Sequence, residues 1–303
     1  MTQPQITGKS WLMVATLGIT WGATFMVIEI ALEGMTPFWL AAGRISFAAL
    51  LMTAIWGAQG FKLFKTEVRD WPSVVVIGAL SSAIPFMLLS WGQQFVTSGF
   101  AGVSMAAVAL LVLPLAHFFV PGERMTLRRA LGFLTGFVGV VILIGAQAFE
   151  SSGASLETPG RIACLCAATG YAISSVMMRR LPPVDSIGLA TVFFLIGAVI
   201  VLPAAFIVEG PPTIPPSKSL IALIFLGLVP TAGANILRVL VIRSAGPVFM
   251  SLTNYQVPLW SVLFGALILS EPLPPSLLYA LVLILAGVAL SQWGALKRLF
   301  FGA

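Results

Sequence analysis

Along this chain the hydrophobic positions gather in long runs, and charges, prolines and other polar residues collect in the short breaks between them. A helix of about 20 apolar residues is as long as the hydrocarbon core of a bilayer is thick. Ten runs are predicted to cross a membrane: residues 11–31, 37–56, 72–90, 99–119, 127–146, 160–178, 187–208, 220–242, 247–269 and 275–293. The first run starts behind a single basic residue, Lys9, and is longer than the apolar core of a secretory leader. Glu29 follows without a cleavage pattern, so the run is read as a retained helix.

Composition sets the class. The 303 residues are 59% hydrophobic and 9% charged, whereas soluble domains carry about 25% charge. So few charges cannot cover a water-soluble globule, which excludes a soluble enzyme, a nucleic-acid binder and a disordered chain. Ten crossings use roughly 200 residues and leave no room for a soluble domain. The net charge of +6 is explained by placement, not by a basic binding patch. Twelve of the sixteen basic residues, including Lys9, Lys62, Lys65, Arg69, Lys297 and Arg298, fall on one side of the ten-run arrangement, against Arg161 and Lys218 on the other. That asymmetry puts both termini in the cytoplasm. Cys164 and Cys166 diverge on a helix, so neither a disulfide nor a metal site is expected, and no cofactor is called for.

The second half of the chain lies over the first at an offset of about 148 residues. Glu123 meets Glu271, Gly139-Val140 meets Gly287-Val288, and Gly78 falls within one residue of Gly227. Trp21 meets Tyr171 at an offset of 150, and residues 97–106 lie over 245–254. Two units follow, 10–148 and 158–296, each with five helices. An odd number forces them into opposite orientations, as in secondary transporters whose substrate site lies near the midplane between inverted repeats.

The stretches Trp21-Gly22-Ala23-Thr24-Phe25, Gly43-Arg44-Ile45-Ser46-Phe47, Gly122-Glu123-Arg124-Met125-Thr126 and Ala245-Gly246-Pro247-Val248 resemble the EamA-type repeat of the drug/metabolite transporter superfamily. The resemblance covers both repeats and is nearest to the YddG-type amino acid exporters. It implies an all-α protein of ten helices in two inverted repeats around a central cavity lined by helices 1, 3, 4, 6, 8 and 9, in a bacterial inner membrane. The first repeat departs from the second in having Leu110 where the second has Pro258, with Pro114 one turn later. The kinks of the fourth and ninth helices are therefore expected to differ.

Polar groups inside hydrocarbon are costly unless they pair or line a wet cavity. Thr231, Asn235 and Arg238 share one face of the eighth run, and Thr253, Gln256 and Trp260 one face of the ninth. Tyr171, Ser174 and Ser175 form a stripe on the sixth, matched by Trp21, Thr24 and Phe25 on the first. Trp21, Thr24, Tyr171, Ser174, Thr231, Asn235, Thr253, Gln256 and Trp260 are the candidate cavity residues, with Gln256 and Asn235 foremost. The alternative for the hydroxyl groups is hydrogen bonding that joins helices.

Arg44, about two turns into the second run, needs a partner, and Glu29 near the end of the first is the nearest acid; the alternative is that Arg44 snorkels to headgroups. Arg238, a turn from a helix end, is read as snorkelling. Pro85, Pro230, Pro114 and Pro258 are expected to kink their helices at comparable places in both repeats, as hinges of alternating access or as static bends. Gly132, Gly136 and Gly139 form a stripe for close packing within the chain or in a homodimer.

The runs hold no central carboxylate for an organic cation and no basic cluster for a phosphate. His117, the single histidine, sits near a helix end as an interfacial residue. The substrate expected is a small neutral or zwitterionic metabolite, in particular an amino acid with an apolar or aromatic side chain. Beyond that solute and membrane lipid, no nucleic acid or other partner is indicated. A nucleotide-sugar carrier of the same superfamily is the alternative. A membrane-embedded enzyme would need paired catalytic groups, yet the two aspartates, Asp70 and Asp185, lie in loops.

Overall fold

Among the described residues the apolar runs fold as helices, the run 247–269 in two pieces, because a chain in hydrocarbon has to satisfy its own backbone hydrogen bonds. A computed structural model describes residues 6–121, 124–145, 156–245 and 247–301. The helices are α1 Gly8–Leu32, α2 Pro37–Ala58, α3 Trp71–Gly92, α4 Ser98–Phe119 and α5 Leu127–Gly145, then α6 Glu157–Met178 and α7 Ser186–Glu209. Next come α8, which runs from Ser217–Leu226 through Gly227–Gly233 to Ala234–Ala245, α9 Thr253–Ile268, α10 Pro275–Ser291 and the short α11 Trp293–Phe301. Among the described residues the only β-type pairing is an isolated bridge between Phe64 and Val184. Seven of these helices are long and apolar enough to cross a membrane, and α10 is a shorter apolar helix. The chain is thus an all-α, multi-pass membrane protein.

Local chemistry sets the boundaries. The polar residues Thr7 and Ser10 form a reciprocal capping box, so α1 begins three residues before its apolar run does. Asp70, Thr97 and Asp185 cap α3, α4 and α7 through their own side chains. Two other helix starts are served from a distance. Glu209, at the end of α7, accepts the backbone N–H groups of Phe38 (2.9 Å) and Trp39 (3.0 Å) at the start of α2. Glu271, between α9 and α10, accepts those of Ser98 (2.7 Å) and Gly99 (3.0 Å) at the start of α4. Carboxylates at these positive helix ends satisfy donors that have no partner within their own helix.

Helix contacts recur between the halves. α2 packs on α7 and α5 on α10, each helix against its counterpart 148 residues away. The contact of α1 with α9 is matched by that of α6 with α4. The glycine stripe of α5 is used inside the chain: a Cβ on Gly132 would fall 2.6 Å from the Gly287 carbonyl oxygen, and one on Gly139 3.0 Å from that of Ala280. Gly136 faces Leu110 of α4. These glycines therefore serve the α5–α10 and α4–α5 packing, not a dimer contact, because their faces are already covered.

Other expectations are corrected or refined. α9 is preceded by a separate helical turn, Pro247–Met250, with a break at Ser251 and Leu252, whereas α4 runs unbroken; this break lies away from Pro258, which sits inside α9 as Pro114 does inside α4. Arg161, read at a helix end, lies one turn inside α6, buried, paired with Glu157 and set over the Phe100 ring. α11, absent from the ten runs, carries Lys297 among aromatic residues and returns Leu296 to the core beside Phe249, as an interfacial helix does. Cys164 is buried and Cys166 exposed, both as free thiols. The exposed His117 accepts the backbone N–H of Met125 at 3.2 Å, fastening the connection between α4 and α5. Gly122, Glu123, Ala146 and Gly246, named in the repeat and run assignments, lie outside the described residues.

Candidate functional site

The polar interior is organised around a backbone irregularity. Proline lacks the N–H that would bond the carbonyl four residues back, and its ring collides with that carbonyl. In α8 the conflict is resolved by widening: residues Gly227–Gly233, with Pro230 among them, form a π-helical segment. The matched helix α3 does the same at Ala79–Ala83, with Pro85 two residues after it. At both prolines expected to kink their helices the turn is widened, which loosens local backbone bonding in both repeats.

The groups freed in α8 are taken up by neighbours. Thr231 Oγ1 donates to the Leu226 carbonyl at 2.7 Å, the acceptor that Pro230 cannot serve. The indole N–H of Trp21 donates to the Pro230 carbonyl at 3.0 Å, tying α1 to this segment. Asn235 Nδ2 donates to the Thr231 carbonyl at 2.6 Å. From α2, Arg44 Nε donates to Thr231 Oγ1 at 2.7 Å, and its guanidinium carbon lies 4.1 Å from the centre of the Phe86 ring on α3. The α3 segment is held more simply, by Ser82 Oγ donating to the carbonyls of Gly78 (2.7 Å) and Phe193 (3.0 Å).

Four of the predicted positions, Trp21, Thr231, Asn235 and Pro230, therefore meet at one segment, together with Arg44. The structural pair between Arg44 and Glu29 does not form. Arg44 is turned toward α8 and α3, and one Glu29 carboxylate oxygen is buried without a hydrogen-bond partner among the described residues. Snorkelling of Arg44 is overturned too, since the residue is 7% exposed. Arg238, by contrast, is exposed near the end of α8.

Gln256 and Trp260 lie against α1: a Cβ on Gly18 would fall 2.5 Å from Gln256 Oε1, and one on Gly22 2.4 Å from the Trp260 Cβ. The glycines let α9 approach α1 closely, and Trp260 stacks on Phe264 with ring centres 5.5 Å apart. Thr24, Ser174 and Thr253 are buried and donate to carbonyls of Thr20, Tyr171 and Met250. Tyr171 packs between two core clusters, one of which contains Phe86. Pro114 and Pro258 lie inside α4 and α9.

Two openings lie on the side where α1, α3 and α7 end. One, of about 490 Å³, is lined by Phe38, Met87, Trp91, Gln94, Val208 and Glu209 among others. The other, of about 250 Å³, is lined by Glu29, Leu32, Glu33, Gln93 and Gln94. Gln94 borders both. Gln93 is 1% exposed, its amide N–H donates to the Phe25 carbonyl at 2.9 Å, and its Oε1 is buried without a partner among the described residues. Sequence reading missed Phe86, Trp91, Gln93 and Gln94, because an aromatic in an apolar run and an amide at a helix end look like packing and solvation.

A multi-pass bundle with a polar interior of this kind suits a membrane transporter. The chain belongs to the EamA-like transporter family, which it matches twice, over residues 8–145 and 158–293. It is 23% identical to the uncharacterized transporter YoaV of Bacillus subtilis (strain 168), covering 96% of this chain and 99% of that protein. It is 28% identical to the uncharacterized inner membrane transporter YedA of Escherichia coli (strain K12), over 94% of this chain and 90% of the relative. A probable terminal-alkyne amino-acid exporter of Streptantibioticus cattleyicolor is 26% identical over 95% of this chain and 94% of its own length. One solved crystal structure superposes with a TM-score of 0.68 at 22% identity, covering 95% of this chain and 98% of the other, which shows a shared fold.

The widened turns lead to a prediction about rate. In Pro85→Ala and Pro230→Ala the missing N–H returns and a regular helix can close. Each variant is expected to slow transport several-fold while substrate affinity changes less, because the balance between open states moves and the contacts do not. Transport at the wild-type rate in both variants would leave the segments as static bends.

Proposed function

We propose that this protein exports amino acids, with apolar or aromatic side chains favoured, by alternating access between two inverted repeats in a bacterial inner membrane, with both termini cytoplasmic. The observation that carries the reading is the polar interior around Thr231, where amide, hydroxyl and indole groups accompany Arg44, with Arg238 two turns further along α8 and exposed. Such a lining suits a small solute with little net charge and does not suit a phosphorylated one. Helix contacts that recur between the halves support inversion, and the widened turns at Pro85 and Pro230 supply points about which the halves move. The relative named as an amino-acid exporter supports the substrate class.

The test is uptake of individual amino acids by purified protein in liposomes, with and without a pH gradient. One or more apolar or aromatic amino acids should enter well above protein-free vesicles; if none of the twenty does, the reading fails. The same vesicles report topology. Single cysteines placed at Lys62 and Ile214, in a background with Cys164 and Cys166 replaced, should react with an impermeant thiol reagent from opposite sides.

A further inference from the structure

We propose that Arg44 binds the carboxylate of the transported solute. The inference rests on the amino-acid reading and names the residue by which that substrate would be held.

Arg44 stands in α2 seven residues from the start of the helix, inside the bundle and 7% exposed. A guanidinium does not shed its proton in a protein, so the charge has to be accommodated where it is. Removing a lone ion from water costs several kcal/mol even after relaxation. The surroundings recover part of that with neutral groups: the Thr231 hydroxyl on Nε and the face of Phe86. No carboxylate among the described residues lies within ion-pair distance of Arg44, and Glu29, the acid expected to fill that role, keeps a buried oxygen without a hydrogen-bond partner.

The way the residue is held shows which part of it is left for a ligand. The single proton of Thr231 Oγ1 is committed to the Leu226 carbonyl, so toward Arg44 the hydroxyl can only accept. That fixes the Nε edge against α8, and Phe86 occupies one face of the guanidinium plane. The two terminal nitrogens, with four of the five N–H donors, donate to no partner among the described residues. A planar pair of donors of this kind matches the two oxygens of a carboxylate in a bidentate arrangement. The charge count also selects. Arg238 stands seven residues beyond Thr231 on α8 and is exposed, so Arg44 faces the site as one cation that balances a single negative charge, which fits a monocarboxylate better than a phosphate dianion.

Removing the carboxylate charge from the ligand and the guanidinium from the protein, separately and together, tests this. The probes are an equimolar mixture of leucine, methionine, phenylalanine and tryptophan, and the corresponding mixture of their carboxamides, which keep the side chain and the amine. Uptake into liposomes is read by mass spectrometry for the wild type, Arg44→Gln and Arg44→Lys. The wild type is expected to prefer the acids by at least about tenfold, the value of a hydrogen-bonded charge, and R44Q to reduce that preference to within about twofold. A role of Arg44 in helix packing alone would lower both uptakes together and leave the ratio unchanged. An unchanged ratio in R44Q overturns the proposal while the amino-acid reading stands. Uptake of neither mixture by the wild type overturns both. If R44Q does not fold, R44K decides: its fork is lost but its charge kept, so a preference reduced at least about threefold supports the assignment, and the wild-type ratio overturns it.

Discussion

Thr231→Val is expected to lower the stability of the detergent-solubilised protein and to remove most of its transport, whereas Thr231→Ser keeps both near wild type. Valine has nearly the shape of threonine, so packing is preserved and only the hydroxyl is lost. Two hydrogen bonds go with it. The bond from Arg44 Nε at 2.7 Å involves a charged donor, a class worth about 1.5–3 kcal/mol. The bond to the Leu226 carbonyl at 2.7 Å leaves a buried acceptor without its partner, at about 1–3 kcal/mol. Arg44 would also lose the contact that aims it, so binding and stability fall together. Thermal unfolding and liposome uptake of the two variants at matched protein amounts check this. Equal behaviour of the valine and serine variants would mean that the hydroxyl does not hold the segment.

Gly287→Ala is the second change with a large effect, and Gly136→Ala is its control. Where α10 crosses α5, an added Cβ on Gly287 would lie 2.5 Å from both the Gly132 carbonyl oxygen and the Gly136 nitrogen. Backbone cannot rotate aside, so the helices have to separate and the α5–α10 packing opens. Overpacking of this kind costs about 1–3 kcal/mol, occasionally more. It acts against the gain of about 1 kcal/mol that alanine brings to a helix interior. At Gly136 the added atom meets the tips of the Leu110 side chain at 2.4 and 2.6 Å, and a leucine can change rotamer. The expected result is a marked loss of monodisperse protein on size-exclusion chromatography for Gly287→Ala and a smaller one for Gly136→Ala. Equal losses would show that side-chain and backbone neighbours resist alike.

Both predictions rest on contacts between distant parts of the chain, and there the sequence was only partly legible. Thr231, Asn235, Trp21 and Pro230 could be picked out, because a hydroxyl, an amide, an indole N–H or a proline in an apolar run each breaks a local rule. Their grouping could not. Pro230 announces a disturbed turn, but not the form it takes: the π-helical segment Gly227–Gly233 depends on the neighbours that accept or donate around it. Arg44 likewise signalled a missing partner. The nearest acid by topology, Glu29, was assigned to it, yet the chain brings α8 and α3 to that face of α2, and Thr231 and Phe86 fill the place. Gln256 was read as a cavity amide. Its packing on Gly18 depends on how closely α9 approaches α1, which a single helix pattern does not contain.

What the sequence by itself determined is the class and the course of the chain: an all-α membrane protein whose apolar runs become helical, begun by local caps such as Thr7 and Asp185. These follow from the sequence because a helix in hydrocarbon closes its hydrogen bonds within itself, so length and apolarity suffice. Only the tertiary structure decided how the charged and polar groups are spent. Glu271 serves a helix start 172 residues away, Trp21 bonds a carbonyl 209 residues on, and Arg44 meets a hydroxyl 187 residues distant. Such pairings are set by which helices lie side by side, since a buried polar group takes its partner from whatever packing brings within about 3 Å.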